Sequence, residues 1–193
     1  MPLRRSLAAA LGVLALAFLG GCGDSRTPPP ALSSIEPTGG VKAVDYLNGA
    51  LHFNAPAKWA IETGTAPLVV TLGSGPALIA IWRYRRSPSQ PLPATVPALE
   101  QARTALLAAA RARDPTFRVI SSAAVILGGS RGLPGVELDA LETVRGQVRR
   151  VRSAHLYVGG TEVVIDEFAP QDLFHEVDGD VFSPLLRSVR LVG

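Results

Sequence analysis

VELDALETVRGQVRRVRSAHLYVGGTEVVIDEF, residues 136–168, decides the fold. Three runs alternate apolar with polar side chains, and only Arg145-Gly146-Gln147 and Gly159-Gly160 separate them. Alternation at period two marks half-buried strands. Connections this short force antiparallel neighbours, because a parallel crossover needs a dozen or more residues. Strands are therefore expected over residues 136–144, 148–158 and 161–168.

The turns also set an expected register. A two-residue turn at Gly159-Gly160 pairs Val158 with Thr161, Leu156 with Val163, Ala154 with Ile165 and Arg152 with Glu167. A three-residue turn at Gly146 pairs Val144 with Val148 and Glu142 with Arg150, which puts Leu138 beside Ala154 and Val136 beside Leu156. One face then holds Val136, Leu138, Ala140, Ala154, Leu156, Val163 and Ile165. The other is mixed, with Glu137 beside His155, Asp139 beside Ser153 and Ser153 beside Asp166. A sheet apolar on one side and partly apolar on the other calls for a layer on each.

Working outward, residues 117–127 read as a fourth strand. Upstream of it, residues 96–113 read as the main helix. Thr95 can cap it, Pro97 sits in its first turn, and Leu99, Ala102, Leu106 and Ala110 recur at helical spacing. Asp114-Pro115 ends it. Residues 68–72 and 78–84 are β-branched runs around Gly73-Ser74-Gly75-Pro76, and Asn48-Gly49 marks a hairpin within residues 45–54. Residues 180–187 read as a last short helix and 188–192 as a closing strand. The expected class is α+β, an α/β/α sandwich around a mainly antiparallel sheet, with residues 96–113 over one face and the C-terminal helical pieces partly over the other.

Residues 42–193 make this one domain, long enough to bury a core unaided. A signal helix and a disordered linker are expected before it. Residues 1–21 read as an export signal: Arg4 and Arg5 form the positive start, and Leu7 to Leu19 is an apolar run too short to span a bilayer. Leu19, Gly20 and Gly21 precede Cys22, the only cysteine, in the lipobox pattern. Cys22 is thus expected to become a diacylglyceryl cysteine, whose acyl chains (palmitate among them) hold the protein on the outer side of the cell membrane. Cleavage near the same place without lipid is the alternative. Residues 22–41, rich in Pro, Gly and Ser, read as a tether.

Lipidation consumes the one thiol, which excludes disulfides and redox chemistry. Losing Arg4 and Arg5 leaves 17 basic against 16 acidic residues, so the chain's formal +3 is no argument for nucleic acid. Only Lys42 and Lys58 among the basic residues are lysine; with the abundant Ala, Gly and Pro this points to a GC-rich genome.

Three groups of residues invite chemistry. Gly128-Gly129-Ser130-Arg131-Gly132 fits the string of a hydrolase elbow, but that motif needs a helix straight after the serine, and a strand is expected there. Glu137, Asp139, Ser153, His155 and Asp166 share the mixed sheet face. They make a half-solvated polar face, a shallow acidic recognition patch or, least of all, a nucleophilic site, because Ser153 and His155 stand two residues apart in a flat strand. Glu176, Asp178 and Asp180 near His175 lack the later acidic positions of a calcium loop, so Asp178 or Gly179 is expected to cap the last helix. No metal or cofactor is expected. Trp59 and Trp82 are expected to fill the core.

The chain resembles the PsbP/Mog-like superfamily, in particular actinobacterial LpqN-type lipoproteins. The resemblance runs over residues 44–192. It lies in Leu51-His52-Phe53 with Pro56-Ala57-Lys58-Trp59, in the helix around Ala102 before a strand and Leu127-Gly128-Gly129, and in the C-terminal stretch. That stretch runs from Glu162-Val163-Val164-Ile165 through Ala169-Pro170 and Phe174 to Phe182-Ser183-Pro184-Leu185-Leu186-Arg187. The resemblance implies the same sandwich and a binding or assembly role, with no active site to carry over. A non-enzymatic, monomeric domain recognising a protein or envelope partner is the leading expectation. A carrier of a small amphiphile is the alternative, and a small esterase using Ser130 a weak third.

Overall fold

The structure is a computed structural model, and it describes residues 35–87, 89, 91–127, 132–144 and 146–192. The signal, the lipobox (Leu19, Gly20, Gly21), Cys22 and most of the tether lie outside the described residues, as do Ser130 and its neighbours through Arg131.

Seven antiparallel strands form the main sheet in the order β3-β4-β5-β9-β8-β7-β6. These are β3 (Ala60–Thr63), β4 (Leu68–Ser74), β5 (Ala77–Arg85), β6 (Arg118–Leu127), β7 (Leu133–Val144), β8 (Gln147–Val158) and β9 (Thr161–Ala169). A smaller sheet pairs β1 (Val41–Tyr46) and β10 (Arg190–Leu191) with the two edges of β2 (Leu51–Pro56). Helix α1 (Val96–Arg113) lies on one face of the main sheet, against β6 and β7. The C-terminal stretch, α2 (Phe174–Val177), a π-helical turn (Asp178–Phe182) and α3 (Ser183–Ser188), lies on the other. The expected α+β sandwich is the observed one.

Helix α1 occupies its expected bounds, for the expected reasons. Thr95 Oγ1 accepts from the Ala98 amide at 3.4 Å, and the Asp114 amide closes the last turn on the Ala110 carbonyl. Leu99 and Ala110 are its buried side chains. The largest core lies on the opposite side of the sheet. There Leu72, Ile79, Ile81, Leu156 and Ile165 meet Phe53 and Trp59 of the small-sheet region and Phe174, Phe182 and Leu185 of the C-terminal stretch. Phe182 packs edge-on to Trp59 at 6.5 Å, and the Trp59 indole donates to the Glu36 carbonyl at 3.1 Å.

The register corrects one expectation. Gly159-Gly160 is the two-residue turn foreseen, and Arg152↔Glu167, Ala154↔Ile165 and Leu156↔Val163 pair as expected. The turn at Gly146 also holds two residues, not three: Val144 pairs with Gln147, Leu138 with Ser153 and Val136 with His155. A slip of one residue turns every side chain of β7 to the other face. Val136, Leu138 and Ala140 therefore face α1, while Ala154, Leu156, Val163 and Ile165 face the C-terminal helices. The five-residue polar patch expected on one face is split: Glu137 and Asp139 lie on one side of the sheet, and Ser153, His155 and Asp166 on the other.

Two smaller differences follow from local chemistry. Asp178 does not cap α3; its carboxylate accepts from Ser183 Oγ at 2.8 Å and pairs with Arg152 at 2.6 Å. Strand β7 begins at Leu133, directly after Gly132, so a strand and not a helix follows the elbow-like string. Gly135 of β7 is needed for close packing: a Cβ there would stand 2.7 Å from the His155 carbonyl oxygen. Gly135→Ala is expected to lower stability by about 1–3 kcal/mol, because backbone cannot yield as a flexible side chain would. A urea midpoint unchanged from wild type would contradict this.

Candidate functional site

A single helix cannot cover a seven-stranded face. With side chains α1 is about 10–12 Å across, whereas six strand spacings come to roughly 29 Å. Packed on β6 and β7, α1 leaves β5 and β9 uncovered beside it. The result is an open cleft of about 790 Å³ between the helix and the sheet.

Its walls come from both layers. Leu106, Ala109, Ala110 and Arg113 face it from α1, and Phe117 from the turn after α1. Its sheet side carries alternate residues of four strands: Trp82 and Tyr84, Leu138 and Ala140, Val151 and Ser153, Val164 and Phe168. Trp82 was expected in the core; it is half-buried and lines this cleft instead.

A chain of polar groups crosses the sheet side. Ser153 Oγ donates to Asp166 Oδ1 at 2.5 Å and lies 3.2 Å from His155 Nε2. His155 Nδ1 lies 2.8 Å from Glu162 Oε1, and Arg86 binds the other Glu162 oxygen. Ser153 and His155 therefore do meet, against the expectation from a flat strand. Glu162, reaching from β9, holds one ring nitrogen and leans the imidazole along β8 toward the hydroxyl.

Burial opposes the charge on Glu162, but His155 and Arg86 outweigh it and hold the carboxyl below its usual range. Asp166 stands differently. Burial pushes its carboxyl up, and the Ser153 hydroxyl offsets this only in part. Among the described residues no cation lies within ion-pair distance of it. The Trp82 indole N–H is close enough to bias Asp166 but makes no proper hydrogen bond. Burial likewise raises Glu142, whose cation, Arg113, stands 3.5 Å away in solvent.

The Glu162–His155–Ser153 order has the connectivity of a hydrolytic triad, yet the protons run the wrong way. A hydroxyl has one proton, and here it goes to Asp166. With that proton on Asp166, the Ser153 hydroxyl has none to give His155 Nε2. The Asp166 carboxylate would also repel the oxyanion that acyl transfer develops beside the nucleophile.

Glu137 and Asp139 lie on the other face. Asp139 takes two hydrogen bonds from Arg150, at 2.9 and 2.6 Å, and the Arg150 guanidinium lies 4.5 Å from the Phe174 ring centre. Glu137 lies near Arg152, which binds Glu167 and Asp178 at 2.6 Å each and donates to Ser183 at 3.2 Å. Arg152 thus ties β8 and β9 to the C-terminal helices. His52 pairs with Asp45 on the small sheet, and among the described residues no three metal-ligating side chains converge.

The sequence missed the cleft's two acids outside the expected patch, Glu142 and Glu162. Once the turn at Gly146 is read as two residues, Glu142 joins Ala140 and Leu138 on the helix side. That would have been the signal for it.

No model of a protein family matches the chain, and no curated protein does. Solved structures do. Cyanobacterial PsbP (CyanoP) from Synechocystis sp. PCC 6803 superposes with a TM-score of 0.60 at 14% identity, over 90% of this chain and 99% of that one. LpqN of Mycobacterium tuberculosis, described as involved in cell envelope biogenesis, superposes with a TM-score of 0.50 at 13% identity, over 79% and 91%. The chain has a PsbP-like fold. At such identities the likeness speaks for the fold alone.

Proposed function

We propose that this chain is an exported, lipid-anchored envelope domain that works by binding, and that the cleft between α1 and the sheet holds its ligand, a small amphiphile. The observation that carries this reading is the cleft itself. A concave space of 790 Å³, whose walls are apolar and polar in nearly equal measure, has the size of a ligand pocket, typically some 300–1,000 Å³, and the mixed lining that an amphiphile needs. A flat protein-docking face would need neither. The likeness to an envelope protein, LpqN, is consistent with the location, and the lipobox at Cys22 supplies the anchor.

Two measurements test it. Cys22→Ala is expected to move the protein from the membrane pellet to the medium and to abolish labelling by radioactive palmitate. Full labelling of C22A would refute the anchor. For the cleft, protein purified from its own membranes is expected to carry an amphiphile identifiable by mass spectrometry. Ala109→Trp, which fills the cleft from an exposed helix position, is expected to cut its occupancy about tenfold, the loss of roughly 1.4 kcal/mol. Equal occupancy in A109W would refute the site.

A further inference from the structure

We infer that the amphiphile is cationic: the cleft takes an organic ammonium ion on an apolar stem, with the ammonium on the Asp166 carboxylate and the stem against Leu106, Phe117 and Phe168. This rests on the cleft being the binding site, and it deepens that reading by naming the ligand's charge.

Three observations point the same way. Asp166 lines the cleft, and among the described residues it has no ion-pair partner, His155 and Arg113 acting on it only from further off, while Glu162 beside it has Arg86 and His155 in direct contact. A carboxylate taken out of water without a counter-ion is costly, and a bound cation would remove that cost. Burial pushes the Asp166 carboxyl up, as fits a group with no ion-pair partner, and Glu142 is pushed up too, with only the exposed Arg113 at 3.5 Å to offset it. The lining is aromatic as well as acidic, and Trp, Tyr and Phe faces favour organic cations.

An inorganic ion fits poorly. Calcium wants six to eight oxygens, and no three ligating side chains converge among the described residues. Three arginines also line the cleft: Arg86 is taken up by Glu162, and Arg85 and Arg113 are exposed at its rim, where solvent and salt screen them. Asp166 sits on the sheet side, away from that screening.

Titration calorimetry on the full chain with three eight-carbon probes, octylammonium, octanol and octanoate, tests the inference at pH 7. Octylammonium is expected to bind about tenfold or more tighter than octanol, as a charge-assisted hydrogen bond in a desolvated site should give, and octanoate weakest. Asp166→Asn keeps the shape and an acceptor for Ser153, and is expected to bring octylammonium down to the affinity of octanol. Circular dichroism of D166N checks that it folds, and Glu142→Gln, expected to weaken octylammonium less, provides a second reading if it does not. Octanol binding as tightly as octylammonium would overturn the cationic ligand and leave the cleft as the site. A preference for octylammonium that survives D166N would overturn the assignment to Asp166. Failure of all three probes to bind, or equal binding to A109W, would overturn the cleft reading itself.

Discussion

Methionine in place of Arg152 is expected to lower the unfolding free energy by about 3–5 kcal/mol, the usual cost of breaking a buried ion pair from one side. Arg152 is 10% exposed and Glu167 only 1%. Removing the guanidinium strands Glu167 in the core and also frees Asp178 and Ser183, which fix the π-helical turn under the sheet. The loss divides into a charge penalty and a packing penalty, and a second substitution separates them. Arg152→Met with Glu167→Leu removes both buried charges, and replacing such a pair by apolar residues is often neutral or favourable. The double variant is therefore expected to recover most of the loss. Urea unfolding, read from midpoints at unchanged slope, measures both. A single-variant loss below about 1 kcal/mol would show that the pair contributes no more than a surface one. A double variant as unstable as the single one would place the effect in packing and not in charge.

That pair also shows where the sequence was legible. Arg152↔Glu167 follows from the Gly159-Gly160 turn, because a two-residue hairpin loop fixes register with no knowledge of the rest of the fold. Helix α1 was legible for the same kind of local reason: a cap, an early proline, four apolar residues at helical spacing and a proline stop. The turn at Gly146 was ambiguous, since Arg145-Gly146-Gln147 can close on two or three residues, and alternation along β7 suits either. Val136, Leu138 and Ala140 are as apolar as a core face requires, and Glu137 and Asp139 as polar as a solvent face. The fold instead buries Asp139 under Arg150 and places Glu137 near Arg152. Only three-dimensional pairing reveals that, because nothing local marks an acid as buried with an arginine. Strand β3 (Ala60–Thr63) was missed because four mostly exposed residues at a sheet edge carry no pattern. The cleft was illegible for a geometric reason: it arises from the width of one helix set against seven strands, a property of no single segment. The pairing of Ser153 with Asp166 was read correctly, since both belong to the hairpin whose register the glycines fix, whereas His155 was placed out of reach of Ser153 and the structure brings them together.

The same buried pair makes the domain most stable in mild acid, and the sign follows from Glu167. Burial pushes its carboxyl up to about 7, with Arg152 pulling the other way and one carboxylate oxygen left without a partner among the described residues. A raised carboxyl means that the folded state holds its proton where the unfolded chain has released it. The stabilisation is fully present below the ordinary value near 4.5 and is lost as the pH climbs to about 7. The difference of pKa corresponds to about 3 kcal/mol. Glu137, Glu142 and Asp166, also raised, act in the same direction, while Asp114 and Glu162, held low, act against it at the acid end. The wild-type profile sums every titrating group and does not by itself isolate Glu167. Glu167→Gln does, because glutamine stays neutral at every pH and leaves the other groups in place. The expected result is a wild type that loses about 2.5 kcal/mol relative to E167Q between pH 5 and pH 8. Parallel profiles for the two proteins would mean that Glu167 ionises normally, and that Arg152 neutralises it in full. The two variants also check one another. If Glu167 carries its proton at pH 5, Arg152→Met strands a neutral acid there and a charge at pH 8, so its cost must be smaller at pH 5.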